Sequence, residues 1–126
     1  YQFAPMSNEL TRVSLKAKAA HETGKIADAL GRYADNPKDE EAAAILSAEP
    51  GYVGQVRTTC VATMASAGHA PNALPQRASA TINCRIFPGV PVEAVYKELV
   101  GVIADPTAKL ETLDAPLASD ASPLRK

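Results

Sequence analysis

The first part of the chain has the hydrophobic spacing of amphipathic helices. Residues 8–34 are rich in Ala, Leu, Lys, Glu and Arg, which favour helices, and Gly24 divides this stretch into two predicted helices. Apolar residues recur at intervals of three and four positions, which predicts one buried stripe on each helix. The stripes consist of Leu10, Val13 and Ala17 on the first helix and of Ile26, Leu30 and Tyr33 on the second. A third, short helix is predicted over residues 39–46, after the helix-ending pair Asn36-Pro37.

Two strands follow, because the period of the apolar residues changes from helical to alternating. Residues 56–64 and 77–87 alternate between two side-chain faces and are rich in β-branched residues. The segment between them contains Gly and Pro, which predicts a loop and therefore an antiparallel hairpin. This hairpin places Cys60 near Cys84 on its apolar face. The two cysteines are either small buried thiols or, in an oxidising compartment, a cross-strand disulfide.

The last part of the chain predicts one more helix, one more strand and a linker. A helix begins near Pro91, and its apolar stripe consists of Val92, Val95, Leu99, Val102 and Ile103. Residues 109–113 predict a short final strand. The order strand, strand, helix, strand is three-quarters of a ferredoxin-like split βαβ unit. The predicted fold class is therefore α+β: an antiparallel ferredoxin-like sheet with helices on one face, its first strand and helix missing, preceded by a helical segment.

Composition and charge exclude several classes of function. Thirteen Lys and Arg residues balance fourteen Asp and Glu residues, and this net charge of −1 does not provide the basic face that binds nucleic-acid phosphates. No apolar run is long enough to cross a membrane. The chain begins without Met and without a signal-peptide pattern, so we expect it to be a piece of a longer protein, and its compartment stays open.

Few residues are suited to catalysis or to metal binding. The sequence has no zinc-protease spacing, no nucleophile elbow and no phosphate-binding loop. His21 lies in a charged helical stretch, which indicates a solvated side chain. His69 follows Gly68 in the predicted loop, where it is either a plain loop residue or a functional one. We therefore expect the chain alone to be catalytically inactive.

Two other polar residues are candidates for ligand binding. Asn72 lies in a proline-rich part of the loop, which would hold its amide in one position. Arg85 lies near the end of the second strand, on the face opposite Cys84. A guanidinium binds a carboxylate through two parallel hydrogen bonds, so an arginine in this position suits an anionic substrate. The plain alternatives are a turn-forming asparagine and a solvated strand arginine.

Three segments of the chain together resemble one family of enzyme domains. These segments are residues 57–64, 68–78 and 83–89, which read RTTCVATM, GHAPNALPQRA and NCRIFPG. They are similar to the lid, or dimerisation, domain of the zinc-dependent exopeptidases and deacylases. That family includes aminoacylase, acetylornithine deacetylase, succinyl-diaminopimelate desuccinylase and carboxypeptidase G-type enzymes.

The resemblance implies that the chain has three parts and that substrate binding and catalysis belong to different domains. Residues 1–52 correspond to a helical insertion of the lid, residues 53–114 to the lid core, and residues 115–126 to a linker toward a catalytic domain. The catalytic domain of the parent enzyme would bind zinc, and this chain would bind none. The lid would clamp a peptide or N-acyl amino acid and close the active site. It would also form a homodimer through an edge strand, for which residues 56–64 are the candidate.

The resemblance also implies roles for single residues. Asn72 would hydrogen-bond the substrate backbone or its amide carbonyl, and Arg85 would bind the terminal carboxylate. The family's lid histidine, in a Gly-Gly-His-Ser type motif on a first strand, has no match in this sequence, and His69 matches no residue that the whole family shares. The lid interpretation predicts an incomplete sheet, an exposed apolar edge, and Asn72 and Arg85 on one side of the molecule. The alternative, a free-standing ferredoxin-like binding or regulatory module, predicts a closed sheet of four strands.

Overall fold

A computed structural model describes residues 1–124, and these residues form five helices and a two-stranded antiparallel sheet. The elements are α1 (Glu9–Ala19), α2 (Gly24–Asp35), α3 (Glu40–Ala48), α4 (Val53–Val56), β1 (Thr59–Ala67), β2 (Ala78–Arg85) and α5 (Val92–Ile103). The predicted α+β class is confirmed. None of the helices described is both long and apolar enough to span a membrane.

Side-chain caps fix where two of the helices begin. The Asn8 side chain accepts a hydrogen bond from the Thr11 backbone N–H at 2.8 Å, and the Thr11 hydroxyl accepts one from the Asn8 N–H at 2.9 Å. This reciprocal pair satisfies donors that the first turn of α1 would otherwise leave unpaired. Asp39 caps α3 by accepting from the Ala42 N–H at 2.9 Å. These contacts explain why the helices begin within one or two residues of the predicted positions.

The first four helices share one apolar core. Its buried members are Leu15, Ala29, Leu30, Tyr33, Ala34, Ala42, Ala43, Leu46 and Val56. The predicted stripe on α2 is confirmed, because Leu30 and Tyr33 are fully buried and Ile26 packs against the cluster. The Tyr33 hydroxyl donates to the Met6 carbonyl at 2.9 Å, so this buried phenol has a partner.

The stripe predicted on α1 is wrong. Leu10 and Val13 are 37% and 50% exposed, whereas Leu15 is fully buried. The Arg12 Nε–H donates to the Ala34 carbonyl on α2 at 2.7 Å, and Leu15 lies one turn further along the same side of α1. The contact with α2 therefore selects the face of Leu15, which local spacing alone did not distinguish from the face of Leu10.

The hairpin has the predicted pairing with shifted ends. β1 begins at Thr59 rather than at residue 56, because the preceding residues form the short helix α4, which the sequence pattern did not predict. Cys60 lies directly opposite Cys84, as predicted, and the two form a disulfide with their Cα atoms 4.1 Å apart. The register shifts between Ala62 and Met64, which marks a β-bulge in β1.

The third strand predicted over residues 109–113 is not formed. A strand needs a neighbour at about 4.8 Å for its backbone hydrogen bonds. Residues 110–117 instead line an open groove of about 360 Å³, whose other walls are β2 and α5. The segment is held at its two ends, because the Tyr96 hydroxyl donates to the Leu110 carbonyl and the Gly89 N–H donates to the Ser119 carbonyl. The part of the chain that the structure describes thus has two strands, not the three predicted.

Helix α5 is covered only in part. Val95 is buried, and Val92 and Leu99 are half-buried, as the predicted stripe requires. Val102 and Ile103, the last members of that stripe, are exposed. Helix α5 makes few contacts with the other helices and strands described, so the prediction that these two residues are buried is wrong.

One buried hydroxyl joins the end of the hairpin to the chain that follows it. Thr58 is 1% exposed, and its Oγ1 accepts a hydrogen bond from the Phe87 backbone N–H at 2.9 Å. We expect Thr58→Val to lower the free energy of unfolding by about 2 kcal/mol, because the change keeps the shape and leaves a buried donor unpaired. Urea denaturation measures the loss. Thr59→Val, at the neighbouring half-buried position, is the matched control, and an equal loss in both variants would contradict the role given to the Thr58 hydroxyl.

Candidate functional site

The two residues proposed for substrate binding lie at opposite ends of the hairpin. Arg85 pairs with Thr59 at one end of the ladder, and Ala78 pairs with Ala67 at the other, beyond which the loop carries Asn72. The paired residues between these ends span roughly 20 Å at the usual rise of a strand. The structure therefore does not place Asn72 and Arg85 at the same end of the hairpin within one chain.

Arg85 lines a cavity of about 500 Å³ on one face of the hairpin. The walls come from the N-terminal residues Tyr1, Gln2 and Phe3, from α4, and from the strand face that carries Thr59, Val61, Thr63, Asn83 and Arg85. Arg57 also lines it. We call this space the arginine cavity, because its two charged residues are Arg57 and Arg85.

Arg57 is the residue of this site that the sequence analysis did not single out. It is 6% exposed, although it carries a charge. Its Nη1 donates to the Phe3 carbonyl at 2.5 Å and to the Gln2 side-chain oxygen at 3.3 Å. Its Nε is buried and has no hydrogen-bond partner within residues 1–124. The sequence does contain a signal for Arg57 as a site residue, because Arg57 continues the alternation that puts Thr59 and Val61 on one face of β1.

The electrostatics of the arginine cavity favour an anion. Two arginines line the cavity, and no Asp or Glu does so in the described part of the chain. The charge of Arg57 also reaches into the helical core: burial raises the pKa of the Tyr33 hydroxyl, and the nearby Arg57 acts in the opposite direction. A site with two positive groups and no negative group stabilises the ionised form of a bound carboxylate.

Asn72 lies in an exposed loop that leaves β1 through a glycine. Gly68 has φ +77°, a backbone conformation that residues with a side chain rarely adopt, so the turn after β1 favours glycine at this position. The Ala73 N–H donates to the Ala70 carbonyl at 3.4 Å, which closes a turn around Asn72. Within the described structure the Asn72 side-chain amide forms no hydrogen bond. The residue is exposed, so the amide is accessible to another molecule.

The described residues do not fit a zinc site. Residues 1–124 contain no group of three or more His, Cys, Asp and Glu side chains that could hold a metal ion. His21 and His69 are both exposed and lie in different parts of the fold, and the two cysteines are joined to each other. No step of a zinc-dependent reaction can be derived from these residues.

Comparison with protein families places this geometry in a known context. Residues 12–111 match the model of a family described as the peptidase dimerisation domain. The chain belongs to the peptidase dimerisation domain family. The resemblance seen in the hairpin and its loop is thereby confirmed, and the matched range also includes most of the helical segment before it.

Two curated proteins show similarity over part of the chain. One is N-fatty-acyl-amino acid synthase/hydrolase PM20D1 of Mus musculus, 43% identical over 58 residues, which are 46% of this chain and 12% of that protein. The other is probable carboxypeptidase S-like 2 of Dictyostelium discoideum, 32% identical over 83 residues, or 62% of this chain and 16% of that protein. The chain therefore spans less than a fifth of the length of either relative. No solved structure matches it.

Proposed function

We propose that this peptidase dimerisation domain is the substrate-clamping lid of a zinc-dependent amide hydrolase. The observation that carries the proposal is the position of Arg85 in a cavity that has positive groups and no acidic one. A lid of this kind positions the bond to be cut and excludes water, while the reacting groups belong to a catalytic domain. Zinc in that domain would supply an activated water, and the residues of this chain would hold the substrate.

The substrate class follows from the chemistry of Arg85 and from the relatives. The printed names of the relatives describe an N-fatty-acyl-amino acid synthase/hydrolase and a carboxypeptidase S-like protein. N-acyl amino acids and peptides both present a free carboxylate near the amide bond. A guanidinium at the wall of the cavity binds such a group through two parallel hydrogen bonds. We therefore propose a peptide or N-acyl amino acid whose terminal carboxylate is held by Arg85.

The separation of Asn72 from Arg85 leads us to place them in different active sites of a homodimer. A distance of roughly 20 Å along the hairpin is too long for both to contact the scissile amide and the adjacent carboxylate of one substrate. In a two-fold dimer each surface is used twice, so one protomer's Arg85 and its partner's Asn72 are able to meet at one site. We propose that the Asn72 loop completes the active site of the neighbouring subunit.

We further propose that the two strands belong to a larger, ferredoxin-like sheet. The groove of about 360 Å³ between β2, α5 and residues 110–117 has the walls that an additional strand would contact. A strand seated there would pair with the open edge of β2 and give residues 109–113 a neighbour. The exposed Val102 and Ile103 of α5 are further apolar surface that a wider sheet would cover. The free-standing module predicted a closed four-stranded sheet, and the two strands described do not support it.

We also propose that the chain is divided into three parts. Residues 1–52 form the helical insertion, residues 53–114 the lid core, and residues 115–126 the linker toward the catalytic domain. The core cluster supports a distinct helical part, but it includes Val56, so the insertion packs onto the start of the lid core.

The experiment that tests the proposed function compares substrates with and without a terminal carboxylate. If Arg85 holds that group, the intact protein prefers the carboxylate substrate and loses this preference when Arg85 is substituted. A preference that survives the substitution unchanged would contradict the proposal.

A further inference from the structure

Arg57 is a buried charge without a charged partner. Only 6% of the Arg57 surface is exposed. No carboxylate forms a salt bridge with Arg57 in the described structure. Burial of an unpaired guanidinium is expensive, because the charge loses water without gaining a counter-charge. The two acceptors it has, the Phe3 carbonyl and the Gln2 amide, are neutral, and both contact only Nη1.

The contrast with Arg32 shows that the chain supplies carboxylates to another, more exposed arginine. The Arg32 side chain is 37% exposed and forms ion pairs with Asp28, Asp39 and Glu41 at 2.7–3.3 Å. Arg57 is far less exposed and has none. The carboxylates of the chain therefore pair with Arg32, which water also solvates. The desolvated Arg57 keeps an uncompensated charge.

Arg57, whose charge is uncompensated, lies on the same face of the hairpin as Arg85. Arg57 precedes Thr59 by two residues in extended backbone, so the two side chains are on one face, and Thr59 pairs with Arg85 on β2. Both arginines line the arginine cavity, together with Asn83 and Thr59. No acidic residue of the described chain lines this cavity.

We infer that Arg57 and Arg85 together form one carboxylate-binding site, in which Arg57 supplies the buried positive charge. One carboxylate has two oxygens and accepts hydrogen bonds from several donors, so it can neutralise both guanidiniums at once. The inference rests on the proposed function for the assignment of Arg85 to the substrate carboxylate. It adds a second binding residue and gives a role to the buried arginine that precedes the first strand of the hairpin.

The test measures binding of a hydrolysis-resistant pair of probes to the intact protein by titration calorimetry. The probes are N-methanesulfonyl-L-alanine and its primary carboxamide, which differ in the carboxylate alone. We expect Arg57→Gln to weaken binding of the carboxylate probe by roughly 10- to 100-fold and to leave the carboxamide unchanged. Arg57→Lys should recover part of the loss, because it restores the charge without the planar fork.

Two controls separate this inference from the proposed function. Lys25→Gln removes one positive charge from an exposed position on α2, outside the arginine cavity and the Asn72 loop, and should leave both affinities unchanged. Loss of the carboxylate preference in Arg85→Gln but not in Arg57→Gln would overturn the inference and leave the proposed function standing. Retention of the preference in both variants would overturn both.

A measurement on the unmodified protein covers the case in which Arg57→Gln fails to fold, since Arg57 also holds the N-terminal segment through Phe3. The buried Nε–H of Arg57 is shielded from solvent and is observable by ¹⁵N NMR. We expect its resonance to shift when the carboxylate probe is added and to stay in place with the carboxamide. The same response to both probes, or to neither, would show that Arg57 is a purely structural residue.

Discussion

Arg85→Ala is expected to lower kcat/KM of the intact protein for a carboxylate-bearing substrate by roughly 100-fold, because two charge-assisted hydrogen bonds are lost. Arg85 lies at the wall of the cavity and contacts no acidic residue of the described chain, so the substitution removes a binding group without breaking a salt bridge. We expect most of the effect in KM, since the carboxylate is held in the ground state and in the transition state alike. Steady-state kinetics on N-acyl amino acids measures it.

The controls for this prediction use both the protein and the substrate. Arg85→Lys should lie between the parent and Arg85→Ala, because an ammonium keeps the charge and loses the bidentate geometry. Lys25→Ala, at an exposed position of α2, should have no effect. On a substrate whose carboxylate is replaced by a carboxamide, all variants should behave alike. A 100-fold loss that persists on the carboxamide substrate would show that Arg85 does not act on the carboxylate.

The second large effect is expected on assembly. In the described structure β1 pairs with β2 along one edge and has no strand along the other, and Val61 and Met64 on β1 are 62% and 64% exposed. An open edge with exposed apolar side chains is a surface for pairing with a second copy. We expect Val61→Lys with Met64→Lys to weaken the dimer by roughly 100-fold or more, because two-fold symmetry brings like charges together. Sedimentation velocity over a range of concentrations measures the change.

A matched substitution distinguishes an interface effect from a general effect of added charge. Val13→Lys adds lysine at an exposed apolar residue of α1, outside the hairpin, and should leave the dimer intact. A double variant that remains dimeric at the same concentrations as the parent would exclude β1 as the dimer edge.

Local patterns in the sequence were sufficient where short-range physics decides the outcome. The stripe of Leu30 and Tyr33 and the opposition of Cys60 to Cys84 were predicted correctly. The first depends on the helical repeat, and the second depends on the alternation of two strands around a loop. The open choice between thiols and a disulfide needed the distance between the cysteines, which the pairing register sets.

The predictions that were wrong depend on contacts between distant parts of the chain. The face of α1 is selected by α2, which buries Leu15 and leaves Val13 exposed. Residues 109–113 have the composition of a strand, but a strand also needs a neighbour, and the groove beside β2 is open. Arg57 was recognised only as a member of an alternating strand, because its partners, Gln2 and Phe3, lie more than 50 residues away in sequence.

The central claim is that Arg85 of one subunit and Asn72 of the other bind the same substrate in a dimer. A complementation experiment between two impaired variants tests this claim most directly. Arg85→Ala and Asn72→Ala are each expected to be impaired as homodimers. Mixed by unfolding and refolding together, they should form heterodimers in which one site has neither substitution, and random pairing restores about a quarter of the parental activity. Activity that stays at the average of the two separate variants would show that both residues serve the same subunit's site, or none, and would contradict the account.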